Sequence, residues 1–165
     1  MGDGTAGRVG DLCRQRFGTA LDAPEGFDDD PRLTGLLGHS SHRAFQDRLL
    51  PDGLLDMLLA CGFSAPSKSD LQQSSAIKIT DPAKRQAIAA LVPQFPWART
   101  APSFVVFCGD NRRLRRIGEM HGKPFANDHL DMFMNSAVDA ALVMGNIIQA
   151  AEAVGLGCCP VSMIR

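Results

Sequence analysis

The segment from Asp131 to Val154, "DMFMNSAVDAALVMGNIIQAAEAV", constrains the fold of this chain more than any other stretch. Its apolar residues recur at helical spacing on almost every side, so the helix it predicts must be covered, between layers or between subunits. A membrane span is the wrong reading. Asn135, Asp139, Asn146 and Gln149 interrupt the segment, and amide or charged groups are costly in lipid. Gly155 follows as the residue that ends the helix. A helix covered on all sides needs a layered domain around it, and 165 residues are enough for one such domain but not for two comfortable ones.

The rest of the chain supplies candidate layers. "LLPDGLLDMLLACGFSA" predicts a helix with Leu54, Leu55, Met57, Leu58, Leu59 and Phe63 at helical spacing and Asp52 as its N-cap. "SAIKIT" alternates Ile77 and Ile79 with polar neighbours, the pattern of a half-buried strand. Asp81-Pro82 opens a second helix running to about Val92. "PQFPWARTAP" reads as an irregular loop, and "SFVVFCGD" as a continuous apolar strand of the fully buried kind. Asp110 is expected to cap the helix "NRRLRRIGEMHG", and "GCCPVSMIR" reads as the beginning of a further strand. Helix and strand alternate, which gives a layered domain of mixed type.

Ahead of this lies a different region. Arg8 to Leu21 predicts a short amphipathic helix with Val9, Leu12 and Phe17 on its apolar side, followed by the turn-rich acidic linker "DAPEGFDDDP". Asp28 to Asp30 read as a solvated run rather than a cation site. The chain therefore divides into residues 1–36, an N-terminal helical segment and linker, and residues 37–165, the core domain.

Bulk properties exclude several function classes. The chain is 45% hydrophobic and 21% charged, which is ordinary for a globular domain. Its net charge of −1 gives no overall attraction to nucleic acid or acidic membranes, so any anion site must be local. The five cysteines, Cys13, Cys61, Cys108, Cys158 and Cys159, form no C-x-x-C pair, and adjacent Cys158 and Cys159 do not favour a relaxed disulfide. Reduced thiols fit a cytoplasmic setting. "MGDGTAGRVGDLCRQRF" has no apolar signal core, and Ala6 breaks the acylation pattern, so a soluble intracellular protein is expected.

Two polar stretches carry the candidate chemistry. The connector "APSKSDLQQSSA", Ala65 to Ala76, holds four serines and two glutamines but no glycine. Ordinary connectors turn on Gly, Asn and Pro, so this composition calls for another reason. Ser67, Ser69, Gln72 and Gln73 offer donors and acceptors suited to a heteroaromatic ring edge such as a flavin pyrimidine, and Lys68 adds a positive charge. The second stretch, "HSSHRAF", His39 to Phe45, gathers two imidazoles, two hydroxyls and a guanidinium, a set able to grip phosphate. On that stretch alone, a polar loop whose Arg43 pairs with a surface carboxylate is the better reading.

Taken together and in order, these stretches resemble the nitroreductase family of FMN-dependent oxidoreductases. The family's R/H-x-S-x-R-x-F patch is matched by His39, Ser41, Arg43 and Phe45, and its P-S-S-x-N-x-Q loop by Pro66, Ser67, Leu71 and Gln72. Val105 to Cys108 resemble its buried strand, Ala150 to Gly157 its A-A-E-x-x-G-L-G helix end, and "CPVSMIR" its next strand. The similarity covers about residues 37–165.

The resemblance implies an α+β fold in three layers, a central mixed sheet flanked by helices, with C-terminal elements of the family missing. It also implies an intertwined homodimer with FMN at the subunit interface. His39, Ser41 and Arg43 would then contact the phosphate and ribityl part. Ser67, Lys68, Ser69, Asp70 and Gln72 would approach the ring, in many members from the partner subunit, with Gln94 as a further ring-edge candidate. The implied activity is a two-step exchange: NAD(P)H reduces the flavin, and a nitroaromatic, quinone or similar small acceptor takes the electrons in the same pocket. The cofactor carries that chemistry, so no catalytic triad or metal is expected. The alternative is a truncated, catalytically silent relative that binds flavin or dimerises.

This sequence departs from the family pattern at two loop positions. Lys68 stands where a second serine is usual and Asp70 where asparagine is common, and an ionised aspartate can only accept. Asp70 is left with three readings: facing a ring N–H, pairing with Lys68, or pointing away. Three further constellations favour bland readings. The basic run Arg112 to Arg116 reads as a solvated helix start. His121, Asp128, His129 and Asp131 match no metal-ligand spacing, and Trp97 is at least as well explained by core packing as by covering a ring.

Overall fold

A computed structural model describes residues 8–19, 21–123 and 125–162. The Asp131–Val154 segment forms the organising helix, α6 (Leu130–Ala153), capped by the His129 imidazole, which accepts from Asp131 N at 3.3 Å. One face of α6 is buried through Met132, Ser136, Asp139, Val143, Ile147 and Ala151. The opposite face is open: Leu130, Phe133, Met134, Val138 and Leu142 are all exposed within one chain. Burial on every side was expected, and the chain itself covers only half of the helix.

Helix α3 (Leu54–Phe63) packs along the buried face of α6, with Leu58 and Gly62 buried in the seam. Glycine is required there, because a Cβ on Gly62 would run into the Ile147 side chain and come within 3.1 Å of Val143 O. The N-cap position of α3 is Gly53 at φ 77°, with no side-chain cap bond, so the cap expected from Asp52 is not formed.

The sheet among the described residues is one antiparallel pair, β1 (Ser74–Lys78) and β2 (Val105–Gly109), in the register Ser74 to Gly109 through Lys78 to Val105. Both strands also lie against α6. Of the mixed sheet expected, this pair is the part on view. Strand β2 is half-buried rather than fully buried, and residues 157–162 carry no strand pairing. They are tied to the domain by His42 N donating to Cys158 O at 2.8 Å and by Val161 packing on its core.

Between the strands runs α4 (Pro82–Ala90), opened by Asp81, whose carboxylate accepts from Ala83 N and Lys84 N. It is followed by a short 3-10 turn at Pro96–Arg99. Ala89, Val92 and Ala98 form a small core there, with Phe95, Trp97, Phe104 and Val161 against it. Trp97 stacks on Phe95 and tilts against Phe45, which is the packing role. Helix α5 (Arg112–Met120) follows β2; its N-cap position is Asn111, which makes no side-chain cap bond, while Asp110, expected as the cap, stands one residue earlier and accepts from Arg112 N at 3.0 Å.

The N-terminal region folds back on the domain. Helix α1 (Arg8–Phe17) buries Val9 and Cys13 and packs on α2 (Pro31–Gly38), whose N-cap is Asp30. Arg16 Nη2 donates to His39 O at 2.5 Å. The boundary expected near residue 36 falls inside α2. No described helix is long and apolar enough to cross a membrane.

Candidate functional site

The serine-rich connector is built against the middle of α6. Asp139, 3% exposed, places its Oδ2 within reach of two donors: Ser67 Oγ at 3.1 Å and Gln73 N at 2.8 Å. Ser67 Oγ in turn accepts from Gln72 N at 2.8 Å, which closes a tight loop over residues 67–72. Lys68 Nζ lies 3.2 Å from Asp131 Oδ2 on the first turn of α6. The Asp131 carboxylate also accepts from the Asn127 and Asn135 amides. These bonds, that of Asn127 first, hold its pKa below the ordinary carboxylate range.

The loop is strained as well as polar. Ser69, Asp70 and Gln72 have φ of 52°, 54° and 49°, the left-handed region that residues with a Cβ avoid. Each such residue costs about 1–3 kcal/mol and persists only where the surroundings fix it. Asp70 Oδ1 accepts from Gln72 Nε2 at 3.0 Å, so its pairing with Lys68 is not formed. Ser69, Asp70 and Gln72 are all exposed, and the Ser69 hydroxyl has no partner among the described residues.

Behind the loop, Gln73 is buried and donates through Nε2 to Asn111 Oδ1 at 2.8 Å, while its Oε1 finds no partner among the described residues. Asn111 donates to Met132 O and Ser136 Oγ, which ties the base of the loop to α6. In front of it lies an open groove of about 390 Å³. Pro66, Ser67 and Lys68 form one side, and Met134, Asn135, Val138, Asp139 and Leu142 of α6 the other. The volume lies within the range of about 300–1,000 Å³ typical of small-molecule sites.

The second polar stretch sits at the far end of the same helix. His39 Nδ1 is 2.6 Å from Glu152 Oε1, and the His42 ring covers Gly157, where a Cβ would come within 2.8 Å of its Nδ1. Ser41 and Arg43 are exposed, with no side-chain partner among the described residues. Among the described residues, the bland pairing of Arg43 with a surface carboxylate is therefore not formed. Glu152 and Asp139 are 13 residues apart on α6, about 20 Å along its axis. Within one chain, then, Ser67, Lys68, Ser69, Asp70 and Gln72 come together. His39, Ser41 and Arg43 belong to a separate segment, and Gln94 precedes the Trp97 turn, against which Phe45 of that segment packs.

Several residues that shape the site gave no functional signal in the sequence. Asp139 stood out only as an interruption of an apolar helix, although a carboxyl group in such a helix is costly unless donors meet it. Arg113 read as part of a solvated run, yet its Nη2 donates to Leu71 O at 3.0 Å and to Gln72 O. Arg115 is bidentate on Asp128, which holds that carboxyl below its usual range, and Arg116 meets Glu119. Three of the four arginines of the run are thus engaged within the chain. No metal-ligand cluster exists among the described residues.

A guanidinium and hydroxyl without side-chain partners among the described residues, at Arg43 and Ser41, suit an anionic group, and a polar loop beside an apolar groove suits a planar ring with polar edges.

A family model described as the Nitroreductase family matches residues 36–165. The chain is 35% identical over 132 residues to a protein of Bacillus subtilis named FMN reductase (NADPH), covering 79% of this chain and 53% of that protein. It is 36% identical over 128 residues to the oxygen-insensitive NADPH nitroreductase of Salmonella typhimurium, covering 77% and 51%. Among solved structures, the NfrA1 nitroreductase of B. subtilis superposes with a TM-score of 0.73 at 34% identity, covering 76% of this chain and 52% of that one. The chain spans about half the length of the curated relatives it matches.

Proposed function

This chain belongs to the nitroreductase family, and on that premise we propose that it binds FMN and serves as an NAD(P)H-dependent oxidoreductase, acting as a homodimer in the cytoplasm. Its acceptor is a nitroaromatic, a quinone or a similar small molecule. The observation that carries this reading is the 67–72 loop, strained, hydroxyl-rich and anchored on a buried carboxyl group beside a groove of ligand size. The relatives' names, FMN reductase and NADPH nitroreductase, support the cofactor and the donor.

When bound, FMN supplies the two-electron exchange between NAD(P)H and acceptor. The chain's own residues bind and orient it. Arg43 and Ser41 hold the phosphate with charge-assisted bonds, and His39, steadied by Glu152, flanks them. Ser67, Lys68, Ser69, Asp70 and Gln72 line the ring side, with Gln94 as a further ring-edge contact. The two groups lie far apart along α6 in one chain, so the loop of one protomer meets the arginine segment of its partner. The exposed apolar stripe from Leu130 to Leu142 is the surface on which the protomers pair.

The test is direct. Protein incubated with FMN and freed of excess flavin should be yellow and should oxidise NADPH when a nitroaromatic is added. A colourless protein rejects the reading. A yellow protein without turnover marks a flavin-binding module instead.

A further inference from the structure

We propose that Arg113 and Asp139 are positioning residues, gripping the serine loop from two sides in the left-handed form that the flavin ring meets; this rests on the flavin-binding reading above. Neither residue needs to touch the ring. Their task is to keep a backbone shape that the loop's own residue types disfavour.

Asp139 closes the loop from within. Its Oδ2 takes Ser67 Oγ and Gln73 N, the two ends of the segment, in a place shielded from water. Arg113 closes it from the other side, reaching from the first turn of α5 to the carbonyls of Leu71 and Gln72. Gln72, left-handed at φ 49°, is thereby held at both of its peptide groups: its N–H on Ser67 Oγ and its carbonyl on Arg113. With either grip gone, a glutamine relaxes toward an ordinary backbone region and reverses the peptide. The exposed Ser69 hydroxyl and the Asp70 carboxylate, the outward groups of the loop, would turn with it.

The basic run also gains an explanation. Arg113 Nη2 is engaged by loop carbonyls, which gives this member of the run a role within the chain. Lys68 on Asp131 adds a third, more exposed tie.

The experiment compares full-length wild type with Arg113→Met and Asp139→Asn by amide hydrogen exchange without flavin, then by FMN fluorescence quenching and the visible spectrum of bound flavin. In Arg113→Met, exchange over residues 70–73 should quicken about tenfold while α3 is unchanged, and FMN should bind about tenfold more weakly. The bound-flavin band should shift at saturation, because the groups facing the ring have moved. Unchanged exchange overturns the clamp. Faster exchange with wild-type affinity and an unshifted band overturns its role toward flavin. Asp139→Asn should act in the same direction; should it not fold, Arg113→Met, on an exposed helix start, decides alone. Wild type that binds no FMN refutes the proposed function, and the grip is then judged on the flavin-free exchange data, which test it separately.

Discussion

Ser69 is where the strain of the loop can be weighed most cleanly, since its side chain makes no bond among the described residues and its φ is 52°. Glycine enters the left-handed region freely, so Ser69→Gly is expected to raise stability by about 1 kcal/mol in urea denaturation. A loss of stability would show that the solution loop does not hold this backbone. Asp139 gives the opposite case. Asp139→Ala strips the acceptor from the buried Gln73 N–H and should cost about 1–3 kcal/mol in the same measurement. The two residues differ in how far the sequence disclosed them. Hydroxyls and amides crowded at 67–73 announce a polar loop by composition alone. The partner of that loop lies 66 to 72 positions away, and nothing local to a helix says which distant donors its mid-helix carboxylate, Asp139, will meet.

At the scale of elements, α6 shows what periodicity can and cannot tell. Apolar spacing located the helix to within one residue at each end but could not choose its buried face, because Val138 and Leu142 look no different from Val143 and Ile147. The choice is made by α3 and the strand pair, which cover one side only. Capping was legible where the side chain could reach, as at Asp81, and illegible at α3, where a left-handed Gly53 took the place assigned to Asp52. Two substitutions probe the two faces. Gly62→Ala forces a methyl group into the α3–α6 seam and should destabilise the fold by about 1–2 kcal/mol, net of the better helix propensity of alanine, on thermal denaturation. Under the proposed dimeric reading, Val138→Lys, on the open face, should leave the circular dichroism spectrum intact and shift the mass in light scattering from dimer to monomer. Retention of the dimer would mean that the chains pair elsewhere.

Across the whole molecule, carboxylates set the response to acid. Asp30, Asp110, Asp128 and Asp131 are all held below their ordinary pKa, chiefly by Arg32, by the Ser75 hydroxyl at 2.5 Å, by Arg115 and by the Asn127 amide respectively. A depressed folded pKa means that the unfolded chain takes up protons first as pH falls. The stabilisation is therefore complete above about pH 4 and is lost progressively below it. The urea midpoint should be level from about pH 6 to about pH 5 and decline toward about pH 3, modestly because these carboxylates lie at the surface. A midpoint that stays level would show that these contacts do not persist in solution.

One helix thus carries the anchor of the serine loop, the partner of His39 and the open apolar stripe on a single rigid rod. Under the dimeric reading, seating a second chain on that rod also stiffens the loop rooted in it, and filling the slot steadies the seam. Pairing and cofactor retention become linked quantities, each favouring the other. Dilution should therefore bleach the protein as well as dissociate it, and added flavin should draw the separated halves back together.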